Sequence, residues 1–376
     1  MIYLDNAATS FKKPRSVLHE VNRCIRKYCG NPGRSSHFLS LRAAEEIYST
    51  REGVAQLFGF ESPENVVFTY NATYALNLAI KSFLTKDCHV ITSDFEHNSV
   101  IRPIEKAKKT LGIEHSVFNN TGNLSRDISP LIKDNTTCII TSIASNVTGE
   151  RLDMKALSDF AREKKLFLII DASQAAGHEN IDLSKAPCDA LCAPGHKGLF
   201  GIQGCGFALF KDNKRREGIV EGGSGNDSIN PLMPEMLPEG YEAGTLATPS
   251  IVSLGKGIDF INRVGIENIH SKLDILTEKT MERLSAIGGV NIYGAESGIV
   301  SFNYKSIPSS IIASELDKSG ICTRGGLHCA PSAHRKLGTL GGGTVRVSFS
   351  YFNSAYETDK LYKALRSILN KYNIIC

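Results

Sequence analysis

Between about Ser16 and Phe210, short apolar runs alternate with amphipathic stretches, and no other feature constrains the fold of this chain as much. VVFTY (66–70), CHVITSD (88–94), CIITSIAS (138–145), LFLIIDAS (166–173) and CDALCAP (188–194) read as strands buried on both faces. Helical patterns such as ATYALNLAIKSFL (72–84) and MKALSDFAREKK (154–165) separate them. Such alternation predicts an α/β fold, a mostly parallel sheet flanked by helices. A ligand in that architecture sits at the carboxyl ends of the strands, so the residues just after each apolar run are the ones to weigh.

The pattern changes after about Pro249. Long helical stretches at 250–265 and 271–287 precede shorter strands, GIVSFNY (298–304) and TVRVSFS (344–350), and a closing helix at 357–372. These later elements read as a smaller α+β domain; the division expected is 13–255 for the large domain and 1–12 with 256–376 for the small one. The stretches 218–240 and 338–343 are rich in loop formers. At 41% hydrophobic and 22% charged residues, the composition excludes coiled-coil and wholly disordered readings. A formal charge of +4 over 376 residues calls for neither a nucleic-acid nor a membrane partner. No apolar run approaches the ~20 residues of a membrane span. MIYLDNAATS lacks the basic-then-apolar pattern of a secretory signal. The ten cysteines lack the spacing of a disulfide framework, so a cytoplasmic protein is expected.

The strand-end residues share one chemistry. Ala72 and Thr73 open a helix after VVFTY, and helix-start N–H groups with a hydroxyl suit a phosphate, although Thr73 could simply be a cap. His97 follows VITSD. Asp171 ends LFLIID, with Gln174 three residues on; a carboxylate buried there needs a cationic partner, which a protonated ring nitrogen would supply. His196 and Lys197 follow CDALCAPG, where burial can turn a lysine into a nucleophilic amine. Taken singly, each residue has a structural explanation. Together they match pyridoxal 5'-phosphate, which needs phosphate donors, an anion at its pyridine nitrogen and an amine at its aldehyde. No metal site is expected: Cys188 and Cys192 have no partner pair at ligand spacing. GTLGGGT (338–344) lacks the Lys-Ser/Thr ending of a nucleotide loop.

The motifs YLDNAATS (3–10), NPGRSSH (31–37), FEHNS (95–99), DASQAAGH (171–178), PGHKGLFGIQGCG (194–206), YEAGTLATP (241–249) and RGGLHCAP (324–331) resemble the cysteine desulfurase / selenocysteine lyase family of class V aminotransferase fold. The resemblance implies fold type I, that of the pyridoxal-phosphate-dependent transferases. Lys197 would hold the cofactor covalently, Asp171 would face the pyridinium nitrogen, Gln174 the ring oxygen, and His97 would stack on the ring. Ala72, Thr73 and His196 would cup the phosphate. Thr245 would reach the neighbouring subunit's phosphate, which implies a homodimer with active sites at the interface. Asn146, Arg346 and His37 would bind substrate, Arg346 through its carboxylate. Pro194 and Ala72 depart from the family pattern, since relatives carry hydroxyl residues there.

RGGLHCAP also resembles the signature of the SUF-type subclass, which makes Cys329 the sulfur-accepting nucleophile, its thiolate favoured by Arg324 and His328. The implied reaction converts L-cysteine to L-alanine and leaves a persulfide on Cys329, for later transfer to an acceptor protein. A selenocysteine lyase acting on L-selenocysteine and delivering selenium would use the same residues. An ordinary class V aminotransferase would not need Cys329.

Overall fold

The apolar runs of the N-terminal part become strands of one sheet, together with two strands that the pattern does not single out. They are Val66–Thr69 (β1), His89–Ser93 (β2), Glu114–Phe118 (β3), Thr136–Ser142 (β4), Phe167–Asp171 (β5), Ala190–Pro194 (β6) and Gly206–Phe210 (β7), ordered β1-β7-β6-β5-β4-β2-β3. The computed structural model describes residues 1–33, 36–213, 216, 218–225 and 229–373. Arg34 and Ser35 of NPGRSSH, residues 226–228 of the 218–240 stretch, and Cys376 lie outside the described residues.

Strands β3, β2, β4, β5 and β6 pair in parallel, while β7 runs antiparallel to both β6 and β1. Successive side chains point to opposite faces, and both faces are covered. Val90, Ile140, Ile169 and Ala208 pack with Leu76, Ala79 and Ile80 of the helix Ala72–Phe83. Their neighbours Ile91, Ile139, Ile170 and Leu209 join the larger core on the other face, with Leu254 and Ile258 of the helix Thr248–Val264. Each of these Val, Leu and Ile side chains contributes about 1.5–3 kcal/mol on burial.

A second sheet holds Val290–Glu296 (β8), Ile299–Tyr304 (β9), Arg324–Gly326 (β10) and Thr344–Ser348 (β11), antiparallel in the order β10-β11-β9-β8. The chain's first residues meet this part: Ile2–Tyr3 pairs with Ile321–Cys322, and Ser348 N donates to Leu4 O at 2.7 Å. The Gly-rich stretch makes the turn into β11, where a Cβ on Gly343 would sit 2.2 Å from the Gly326 backbone. Among the described residues, no helix is long and apolar enough to cross a membrane.

Candidate active site

The carboxyl ends of β2, β4, β5 and β6 open into one cavity of about 360 Å³, lined by Ala72, Thr73, His97, Asn146, Asp171, Gln174, His196, Lys197, Arg324, His328 and Arg346 among others. Sequence positions hundreds of residues apart thus converge where a parallel sheet places its ligand.

Lys197 is half-buried, and its Nζ makes no hydrogen bond or ion pair among the described residues. Burial pulls its ammonium down to about 8; Asp171 opposes the shift, while Arg346 and Arg324 add to it. An amine so placed is partly neutral near physiological pH, as a nucleophile or base requires. Asp171 is 4% exposed, and Oδ1 accepts from Ser173 N at 2.8 Å. No cationic side chain pairs with it among the described residues, so this buried carboxylate is left facing the cavity. Gln174 donates to Ala7 O at 3.1 Å, which fixes its amide at the cavity wall.

Asn71 caps the helix Ala72–Phe83 by accepting from Tyr74 N at 3.1 Å, and the free N–H groups of the first turn end at the cavity. Gly206 of β7 makes room for this helix start: a Cβ there would lie 2.5 Å from Asn71 C and 2.7 Å from Ala72 N. Ser99 Oγ lies 2.8 Å from Thr73 Oγ1 and 2.9 Å from His97 Nδ1. His97 also caps its own helix, its Nδ1 accepting from Ser99 N at 3.0 Å, so the ring proton sits on Nε2. Burial lowers its pKa to about 4, and the ring is neutral at pH 7. His196 is likewise lowered to about 4 by burial, with Nδ1 2.9 Å from Thr9 Oγ1.

Arg346, 1% exposed, donates from Nη1 to Asn146 O (2.9 Å) and from Nη2 to Asp5 Oδ1 (2.7 Å). Its Nε is a buried donor with no partner among the described residues. Cys329 is exposed and does not line the cavity itself, but its neighbour His328 does. Both residues adopt left-handed backbone, φ +50° at His328 and +58° at Cys329, which non-glycine residues hold only when their surroundings impose it. Asn98 N donates to Cys329 O (2.8 Å) and Asn146 Nδ2 to His328 O (2.7 Å), pinning the turn to the cavity rim. Asn146 therefore spends part of its side-chain amide on this turn.

The expectation that His328 supplies positive charge to Cys329 is corrected. Its ring is 3% exposed, Nε2 donates to Thr344 O at 3.0 Å, and burial drives the pKa down to about 2. It is a neutral strut beneath the cysteine turn. His37 and Thr245 do not join the cavity of their own chain. His37 is exposed and caps the helix Phe38–Leu57, accepting from Ser40 N; Thr245 is exposed and lines a separate cleft with Tyr70, Tyr74 and Val220.

Four residues escape sequence reasoning. Ser99 and Ser142 line the cavity, and Asp5 orients Arg346. Glu96, fully buried, accepts from Thr141 Oγ1 (2.8 Å), Ser142 N (2.9 Å), Ser142 Oγ (2.8 Å) and the Ser93 hydroxyl, tying β2 to β4 beneath His97. Asp5, Glu96 and Ser99 stand inside the motifs YLDNAATS and FEHNS, so their presence is visible in the sequence while their partners are not.

The donor set fits pyridoxal phosphate. A helix start with Thr73 and Ser99 suits its phosphate, a buried carboxylate with no cationic partner among the described residues its pyridinium, an amine likewise without an ion-pair partner its aldehyde, and the Arg346 guanidinium at the cavity wall an amino-acid carboxylate.

The family model for class V aminotransferases matches residues 2–361. A probable cysteine desulfurase of Methanothermobacter thermautotrophicus is 31% identical, covering 98% of this chain and 94% of the relative. One of Pyrococcus abyssi is 30% identical over 98% of this chain and 96% of its own. The solved apo cysteine desulfurase of Thermococcus onnurineus superposes with a TM-score of 0.89 at 28% identity, covering 98% of this chain and 95% of that one.

Proposed function

Because the chain belongs to the class V aminotransferase family, we propose that it is a pyridoxal-phosphate-dependent cysteine desulfurase. L-cysteine and the Cys329 thiol become L-alanine and a Cys329 persulfide. The carrying observation is that the Lys197 amine and the Asp171 carboxylate line one cavity with no ion-pair partner among the described residues, and that the rim of this cavity anchors the Cys329 turn. The names of the matched relatives support cysteine as substrate.

Lys197 would carry the cofactor, Asp171 would face its ring nitrogen, and Thr73, Ser99, His196 and the N–H groups from Ala72 onward would hold its phosphate. When bound, pyridoxal phosphate supplies an electron sink for the bond electrons at the substrate Cα. The chain's own residues do the rest. The Arg346 guanidinium takes the substrate carboxylate through the edge not committed to Asn146 and Asp5. Lys197 Nζ, poised near neutrality, removes the Cα proton and later returns one to the product. His97, neutral and held by Ser99, presents Nε2–H to the cavity. Cys329 Sγ, as thiolate, bonds to the substrate sulfur while the substrate C–S bond breaks with its electron pair left on carbon.

Further parts of this reading are a division into domains 13–255 and 1–12 with 256–376, supported by the way the two sheets fall, and a cytoplasmic homodimer. The exposed Thr245 and His37, both outside the cavity of their own chain, support the dimer.

Alanine release from L-cysteine and from L-selenocysteine, with wild type and Cys329→Ala side by side, tests the proposal. Alanine from L-cysteine that disappears in Cys329→Ala supports it. Preference for L-selenocysteine by orders of magnitude, with the variant still active, replaces it by a selenocysteine lyase. Alanine from neither substrate overturns both.

A further inference from the structure

The backbone carbonyl of His196 draws an unusual set of donors. Ser10 N and Ser10 Oγ each approach it at 3.1 Å, Thr9 Oγ1 at 3.2 Å, and Lys13 Nζ at 3.1 Å. Ser10 Oγ also lies 3.0 Å from the Lys197 carbonyl, so its one proton is shared between the two carbonyls, and it accepts from Lys13 Nζ at 2.6 Å. Carbonyls on both sides of the Lys197 Cα are thus fastened to one N-terminal segment, and Lys13 reaches one directly and the other through Ser10. No carboxylate pairs with Lys13 among the described residues, and burial pulls its ammonium down to about 8. Pro14 follows at once, with φ −54°, and limits the backbone freedom of Lys13. A half-buried cation with no counter-ion is costly, and what this one meets is the turn bearing Lys197.

We propose that Lys13 is a positioning residue: its ammonium clamps the His196 carbonyl and the Ser10 hydroxyl, and so fixes the direction in which Lys197 leaves the backbone. The assignment rests on the reading of Lys197 as the cofactor-bearing amine. Without Lys13 the His196 carbonyl keeps Ser10 N and the neutral, rotatable hydroxyls of Ser10 and Thr9; the charged donor locks the set, because charge-assisted bonds are roughly twice as strong as neutral ones. The turn itself is closed by Gly201 N to Gly195 O (2.8 Å) and Phe200 N to Lys197 O (3.0 Å), so its rigidity can be read at those two amides.

The test uses the holoenzyme with Lys13→Met and Lys13→Arg. Hydrogen exchange at the Phe200 and Gly201 amides is measured alongside kcat and KM for L-cysteine. In Lys13→Met, exchange at both amides speeds by about tenfold and kcat drops by about tenfold with KM within about twofold, as a small misplacement of a reacting group predicts. Lys13→Arg restores most of both. If Lys13→Met does not fold, Lys13→Gln is read in the same way. Unchanged exchange in a folded variant overturns the assignment, as does an arginine variant no better than methionine. Borohydride trapping of the cofactor on wild-type Lys197 separates the two levels. Trapped cofactor with unchanged exchange removes the role of Lys13 alone. Cofactor trapped elsewhere, or not at all, removes the reading of Lys197 and this assignment with it.

Discussion

Asp5 and Arg346, 341 residues apart in sequence, meet at 2.7 Å between Oδ1 and Nη2. The guanidinium is almost wholly buried, while the carboxylate keeps some contact with solvent at 21% exposure. A buried cation at the cavity wall thereby keeps its charge and its orientation.

Asp5→Asn keeps the shape and removes the charge. Arg346 then loses its anionic partner and the orientation it imposes, and we expect the KM for L-cysteine to rise about tenfold with a smaller change in kcat, since the proposed contact of Arg346 with the substrate carboxylate is made in ground and transition state alike. Stability should fall by roughly 2 kcal/mol, the scale of a hydrogen bond to a charged group. Steady-state kinetics and a urea melt check both parts; an unchanged KM counts against the role of Arg346.

Lys197 makes the cofactor-free chain respond to pH. Its pKa falls from 10.5 to about 8 on folding, chiefly through burial. Between those values the unfolded chain holds the proton that the native chain has released, so stability must rise with pH across the window from about 8 to 10.5. Cofactor-free Lys197→Met lacks this gain. Parallel melts of the two proteins at pH 7.5 and about pH 10 should diverge; curves that stay parallel would mean that the amine is solvated.

Glu96 shifts the opposite way, raised from 4.5 to about 7 by burial against the pull of its hydroxyl and amide donors. The native state keeps this proton longer than the unfolded state, so its contribution is full below about 4.5 and is lost as pH rises to about 7. Glu96→Gln should flatten that part of the stability profile. Glu96→Ala should cost about 3 kcal/mol, because it strands the donors of Thr141 and Ser142 in the interior. Chemical denaturation at pH 5 and pH 7 distinguishes the two variants.

Gly206→Ala adds a methyl where the Asn71–Ala72 backbone lies within 2.8 Å. The contact partner is backbone, so the helix start must retreat and its N–H groups turn away from the cavity. We expect weaker retention of pyridoxal phosphate, by about tenfold or more, with little change in overall fold. Cofactor dissociation during dialysis, followed by absorbance, measures it; wild-type retention would show that the phosphate is held elsewhere.

Much of the site is legible along the chain itself. Lys197, Asp171, His97 and Thr73 each follow an apolar run, and in a parallel sheet the ends of those runs must gather at one edge. Strand β7 is not legible as an antiparallel partner, because local periodicity carries no information about the direction of a neighbour. The charge of His328 escapes the sequence for a related reason. Its sequence neighbours are Leu327 and Cys329, but its protonation is set by burial against Thr344.

The sequence by itself determined the alternation of strand and helix, the chemistry of the strand-end residues and the family signature, because these depend on residue type and on spacing along one segment. Tertiary structure decided which groups face one another: Asp5 with Arg346, Lys13 with the His196 carbonyl, Glu96 with the donors of β4, Asn98 and Asn146 with the cysteine turn. Those pairings depend on desolvation and on distances across the fold. Both quantities are undefined until the chain has closed on itself.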